Sequence, residues 1–240
     1  MKKVLFVSAF LVLFVVFEPS CSKKDSSTPA CQLITIQDVQ GSSNTTFNLT
    51  YNNQGKISTL QQVSSSSTTS KVFTYSGGVI LITTTYSGSA NQATDSIVVN
   101  SAGFITSDQY RSGSDASLTT YTYSGNTLLK SIYQNNSDPA VTTTYTFTNG
   151  DLTGSTDGVN TSTYTYNTAK ASVQGDYFQL VQLIQYGASF VVNKHQLTAV
   201  QTGSNIENVN YTYDNTGKVI GITGTNGANV ETITLQYNCN

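Results

Sequence analysis

One histidine, three cysteines and thirteen carboxylates are the side chains from which this chain of 240 residues could assemble a catalytic or metal site. His195 stands in Asn-Lys-His-Gln, which reads as a solvated turn. Without a second histidine, a metal site built on imidazole lacks its usual partners. A serine nucleophile would need that histidine as its base, yet no Gly-x-Ser-x-Gly elbow occurs. Glycoside hydrolysis asks for two facing carboxyl groups. The candidates are Asp95, Asp108, Asp115, Asp138, Asp151, Asp157, Asp176, Asp214, Glu207 and Glu231, most of which read as turn or loop residues capping the backbone. The fifteen tyrosines could stack on sugars, but their regular spacing fits the inner packing of a sheet. No catalytic residue, metal site or cofactor is expected from this inventory.

The spacing of the aromatic residues shows what would carry any site. Tyr51, Tyr75, Val99, Tyr123 and Phe147 stand 24 residues apart, and so do Tyr213 and Tyr237. Two positions before them are Leu49, Phe73, Ile97, Tyr121, Tyr145, Tyr211 and Leu235, with Thr50, Thr74, Val98, Thr122, Thr146, Thr212 and Gln236 between. One face is aromatic and aliphatic and the other is mostly hydroxyl and amide, the alternation of a strand. Turn signals follow each copy, as in Tyr-Thr-Tyr-Asp-Asn-Thr-Gly-Lys-Val from Tyr211 to Val219, where Gly217 can take a positive φ. Return strands and looser Ser/Asn/Gly loops complete each period. The pattern predicts an all-β protein: a large curved antiparallel meander, barrel or half-barrel of repeated hairpins.

The rhythm fails between Asn167 and Asn193. There Tyr177, Leu180, Val181 and Ile184 fall at i, i+3, i+4 and i+7, one helical face. Asp176 can cap the start and Gly187 the end, so Asp176 to Tyr186 is expected to be one short helix packed on the aromatic face.

Composition narrows the function classes. Only 10% of residues are charged and the net charge is −2, with no basic patch to hold nucleic acid. Lys2 and Lys3 precede an apolar run from Val4 to Phe17, too short to span a bilayer but fitting a secretory signal. Phe17-Glu18-Pro19-Ser20-Cys21 resembles a bacterial lipoprotein signal, and that resemblance implies lipidation at Cys21. It divides the chain into a signal peptide, 1–20, a flexible tether, 21–30, and a single β-repeat domain, 31–240. The charged cluster after Cys21 resembles the surface-export signal of Bacteroidetes lipoproteins, implying an outer-membrane, lipid-anchored protein at the cell surface. With Cys21 acylated, Cys31 and Cys239 remain as a pair in an oxidising compartment, and a disulfide is expected.

The Tyr-x-Tyr-Asp-x-x-Gly-Lys-Val unit resembles the YD repeat of Rhs-type toxins and teneurins. Signal, tether, length, repeat and helical interruption together resemble a family of uncharacterised Bacteroidetes lipoproteins described as having a porin-like β fold. That resemblance implies no catalytic residue. The polar face is too polar for lipid and the ending Leu-Gln-Tyr-Asn-Cys-Asn lacks a terminal aromatic, so a tethered rather than membrane-spanning barrel is expected. The function expected is a non-catalytic, membrane-anchored binding module for a glycan or a surface protein. Its contacts would lie on the loops at Ser64 to Ser70, Gly88 to Thr94, Asn135 to Val141 and Gly154 to Asn160, and around His195. A structural subunit of an outer-membrane assembly is the second reading and a hydrolytic enzyme the third.

Overall fold

The computed structural model describes residues 31–239. The expected signal segment, the tether and Cys21 lie outside the described residues. The first eight strands are β1 (Cys31–Gln40), β2 (Ser43–Tyr51), β3 (Ile57–Ser64), β4 (Thr68–Ser76), β5 (Val79–Tyr86), β6 (Gln92–Val99), β7 (Ile105–Ser112) and β8 (Asp115–Ser124). There follow β9 (Thr127–Asn135), β10 (Val141–Thr148), β11 (Asp151–Thr156) and β12 (Thr161–Ala171). A single helix, α1 (Tyr177–Tyr186), precedes β13 (His195–Thr202), β14 (Asn205–Tyr213), β15 (Val219–Asn226) and β16 (Asn229–Cys239). Every strand pairs antiparallel with its sequence neighbours, and β1 pairs with β16 to close a sixteen-stranded barrel. Closure leaves no unpaired sheet edge.

The 24-residue positions fall at the ends of β2, β4, β6, β8, β10, β14 and β16. In β2 the side chains of Phe47, Leu49 and Tyr51 are shielded, while Asn48 and Thr50 are exposed. The register slips by one residue just before Tyr51, Val99, Tyr123, Phe147, Tyr166 and Tyr213. Bulges repeated at one height of a barrel concentrate twist and bend there. The five-residue turns beyond three of them, 52–56, 100–104 and 214–218, share one device. Asn52 Oδ1 accepts from the backbone N–H groups of Gln54 and Lys56, Asn100 Oδ1 from Ala102 and Phe104, and Asp214 Oδ1 from Thr216 and Lys218. An acceptor at the first turn position and a left-handed glycine at the fourth thus specify the hairpin three times.

These turns, with both ends of the described chain, form one rim, the near rim. The turns at 41–42, 65–67, 87–91, 113–114, 136–140, 157–160, 203–204 and 227–228 form the far rim. Cys31 and Cys239 are register partners across the β1–β16 seam and are joined by a disulfide. The outer wall carries exposed Asn48 and Thr50, Thr142, Thr144 and Thr146, Thr163 and Thr165, and Thr232 and Thr234. Exposed Val72, Leu81, Val98, Ile206 and Val230 stand among these hydroxyl and amide rows, so the outer wall is mixed rather than a continuous apolar band of the kind that faces lipid.

Toward the near rim the lumen is packed. Leu33, Ile36, Leu49, Leu60, Phe73, Ile82, Ile97, Leu197 and Ile222 form one core with Leu180 of α1. The helix starts where its spacing predicts: Asp176 Oδ1 accepts from the Phe178 N–H, and Gly187 closes the last turn at φ 64°. One expectation is corrected. Val181 is 44% exposed, because the helix has barrel wall on several sides and buries Leu180 and packs Leu183, leaving Val181 on the face of Gln185.

Candidate functional site

The helix divides the lumen, and the part toward the far rim is polar. The same period-2 count that buries Tyr75 and Phe73 places Lys71 and Thr69 on the inner face of β4. Counting back from Val99 places Ile97 and Asp95 inside β6, and the register then sets Asp108 of β7 opposite Ile97. A cavity of about 500 Å³ results, bounded by Lys71, Asp95 and Asp108, by Gln62, Thr84 and Gln185, and by the rings of Tyr86, Tyr110, Tyr133 and Tyr186. Lys71 Nζ donates to the carbonyl oxygens of Ile184 and Gln185, both at 3.2 Å. It therefore satisfies acceptors that the last turn of a helix leaves open, and its charge sits at the negative end of the helix dipole.

At the other end of α1, Asp38, Glu231 and Glu207 converge near Tyr177. Glu231 and Glu207 line a second cavity of about 290 Å³ with Gln40, Asn226 and Asn229. Asp176 Oδ2, fully buried, accepts from the Leu197 N–H at 3.2 Å and the Tyr211 hydroxyl at 3.3 Å, fastening the helix start to β13 and β14. Gln182, also buried, accepts through Oε1 from the N–H groups of Phe190 and Val191 and donates through Nε2 to the Val191 carbonyl, fixing the return segment under the helix. The polar chamber thus has a rigid floor.

Burial perturbs its acids. The Asp108 carboxyl is pushed up to about 6, first by desolvation and then by Asp95, with Lys71 opposing. Desolvation raises Asp95 in the same way, again opposed by Lys71. Glu231 is pushed up to about 7 by desolvation, then by the neighbouring charges of Asp38 and Glu207. Asp38 is raised chiefly by desolvation, against its hydrogen bond to Glu231. Among the described residues, Asp38 Oδ1 and Asp108 Oδ1 are buried oxygens that find no hydrogen-bond partner in the protein. No group of three or more His, Cys, Asp or Glu is placed to hold a metal ion among those residues.

These shifts predict an unusual pH dependence. Both native pKa values lie above the ordinary carboxylate range, so the folded state holds protons that the unfolded state releases. The resulting stabilisation is fully present below about pH 4 and is lost as pH rises through about 6 for Asp108 and about 7 for Glu231. Asp157 and Asp214 are shifted downward by hydrogen bonds in their turns, and they oppose this trend only below their ordinary value of 3.8. Melting followed by circular dichroism should give a midpoint that falls steadily from pH 4.5 to pH 7.5. Asp108→Asn should flatten the slope, removing on the order of 1–2 kcal/mol of its range. A midpoint that rises over this interval would contradict the assignment.

The sequence-based readings of individual acids divide here. Asp138, Asp157 and Asp214 sit in hairpin turns, as expected, and Asp115 opens β8 beside the 113–114 turn, whereas Asp95, Asp108, Glu207 and Glu231 are strand residues on the inner face. His195 is corrected too. It opens β13, is half-buried, and its Nδ1 lies 2.6 Å from Oδ2 of the buried Asp151, whose Oδ1 accepts from the His195 N–H. A partner 44 residues away moved it out of the solvated turn that its neighbours indicated.

A closed, up-and-down, sixteen-stranded antiparallel barrel with a helix across its lumen is the class that this geometry defines. Solved structures resemble it in overall fold. The chain is similar to a porin-like protein from Bacteroides uniformis, at 15% identity and a TM-score of 0.62 over 86% of this chain and 98% of that one. It is also similar to a porin-like protein from Bacteroides vulgatus, at 18% identity and a TM-score of 0.57 over the same shares of each chain. At these identities the likeness is one of fold. No family model matches the chain, and no curated protein matches it.

Proposed function

We propose that this barrel is a non-catalytic binding module of the cell envelope that takes a small, hydroxyl-rich ligand, a glycan, in the polar chamber at its far rim. The observation that carries this reading is the cavity of about 500 Å³ beside the C-terminal end of α1. Four tyrosine rings supply faces on which a sugar can lie, and amide, hydroxyl and carboxyl groups supply neutral and acidic hydrogen-bonding partners. Asp95 and Asp108 against Lys71 leave the cavity with an acidic excess that disfavours an anionic sugar, so a neutral or amino-bearing glycan fits best. The loops at 65–67, 87–91, 136–140 and 157–160 rim the same end of the barrel as the chamber, so four of the five expected loop contacts share its mouth, while the His195 region lies at the near rim.

A glycan array followed by calorimetry tests this. Binding on the order of mM to μM is expected, with Tyr133→Ala and Asp108→Asn each weakening it at least tenfold at unchanged fold. Silence across neutral and amino-bearing glycans would refute the reading, and reproducible turnover of a glycosidic or ester substrate would replace it with an enzyme. A second reading, an interaction subunit of a larger envelope assembly, is favoured by exposed Val72, Leu81 and Val98 on the adjoining outer faces of β4, β5 and β6.

The lipid anchor at Cys21 belongs to the same proposal. The described chain begins at the near rim, so a short tether from Cys21 would turn the far rim away from the membrane. Expressed with its own signal in a Bacteroidetes host, the protein should partition with membranes, and Cys21→Ala should release it, since acyl chains supply the holding energy. Unchanged partitioning of the variant would refute the anchor.

A further inference from the structure

From β2 to β8 the near rim carries a row of tyrosine latches interrupted at β6. Further on, Phe147 in β10 keeps a ring without a hydroxyl, and the Tyr237 hydroxyl in β16 has no partner among the described residues. The Tyr51 hydroxyl donates to the Leu33 carbonyl at 2.6 Å, Tyr75 to Ile57 at 2.9 Å, and Tyr123 to Ile105 at 2.6 Å. Each ring lies inside the wall and reaches the first buried residue of the preceding strand. At the equivalent place in β6 stands Val99, which pairs with Ile105 as Tyr51 pairs with Ile57 and Tyr75 with Ile80. The carbonyl that a tyrosine there would meet is that of Ile80. Unlike the carbonyls of Leu33, Ile57 and Ile105, which lie beyond their ladders, it is also held in the β5–β6 ladder opposite Ile97, so a phenol would share it as a second donor. In place of a ring there is a cavity of about 510 Å³, bounded by Val99, Ile80, Tyr75, Leu183 and Ala188, with Lys56 at its edge. Lys56 Nζ lies 4.9 Å from the centre of the Tyr75 ring.

We infer that this cavity is a binding site for a small phenol, whose ring takes the place of the missing side chain and whose hydroxyl donates to the Ile80 carbonyl. The repeat supplies the template, because three neighbouring copies hold a phenol ring against the first buried residue of the preceding strand. The volume falls within the range of ligand pockets and exceeds one ring, so a substituent fits beside it. Its lining is mainly apolar, which favours an aromatic body over a sugar. Lys56 at the edge selects a substituent bearing a carboxylate. The site lies on the opposite side of α1 from the polar chamber and does not depend on the role proposed for that chamber.

The test is a methyl-detected NMR titration of the purified protein with p-cresol, 4-hydroxyphenylacetate and toluene. Saturable shifts confined to methyl groups of Val79, Ile80, Val99 and Leu183 are expected with both phenols, and toluene should bind at least fivefold more weakly. Lys56→Gln should weaken 4-hydroxyphenylacetate severalfold and leave p-cresol unchanged. Val99→Tyr should weaken both at least tenfold; if that variant does not fold, Ala188→Leu fills the cavity from its other wall. The inference is overturned by wild-type titrations that show no saturable shift, by shifts centred elsewhere, or by undiminished binding in a folded Val99→Tyr or Ala188→Leu protein.

Discussion

Leu180→Asp is expected to destabilise the barrel by about 4 kcal/mol or more, while Val181→Asp one residue later changes stability by less than about 0.5 kcal/mol. Leu180 is 3% exposed and belongs to the main core cluster; Val181 is 44% exposed. The first substitution removes packing worth about 2–5 kcal/mol and adds a carboxyl with no partner. Protonation would relieve part of the second cost, so the deficit should be smaller at pH 5 than at pH 8. Urea unfolding of the two variants checks both numbers. Equal effects would mean that α1 does not lie across the lumen as described. Because Leu180 supports the floor between two cavities, its loss should also open the polar chamber to the packed half of the barrel.

That helix was legible in advance because its signals are local. Asp176, the spacing of Tyr177, Leu180 and Ile184, and Gly187 all lie within twelve residues, and each does in the structure what its type implies. The exception is instructive. The spacing alone put Val181 on the buried face, but a helix inside a barrel meets walls on several sides, and which flank stays open is decided by residues more than a hundred positions away, such as Lys71. The strands were legible for a different reason. Repetition averages out the ambiguity of any one apolar run, and the alternation around Tyr51, Tyr75 and Tyr123 recurs in register.

The polar chamber was half-legible. Counting by two from Tyr75 through Phe73 to Lys71, or from Val99 through Ile97 to Asp95, changes from apolar to charged on one face. That change marks the height at which the lumen stops being packed. Asp is common in turns, and Asp138, Asp157 and Asp214 do occupy them, with Asp115 just beyond one at the start of β8. What no local pattern carries is the pairing of distant strands. Asp108 comes diagonally beside Asp95 only through the β6–β7 register, which sets it opposite Ile97, and Asp38 meets Glu231 only because the barrel closes. The His195–Asp151 contact is of the same kind.

Closure also sets the second large effect. Replacing Cys31 and Cys239 together with serine is expected to lower the unfolding free energy by about 3–5 kcal/mol. The bond spans 208 residues, nearly the whole described chain, so cutting it releases as much loop entropy to the unfolded state as this domain can gain. The native state should change little. The β1–β16 seam retains its ladder of strand pairs from Gln32 to Glu231, and serine keeps an acceptor near Lys218 Nζ, which lies 3.0 and 3.1 Å from the two sulfurs. The cost must therefore appear mostly as a more expanded unfolded chain, and the urea m-value should rise as the midpoint falls. A fall in midpoint with an unchanged m-value would place the effect in the native seam instead, and a loss below about 1 kcal/mol would show that the unfolded chain stays compact without the link.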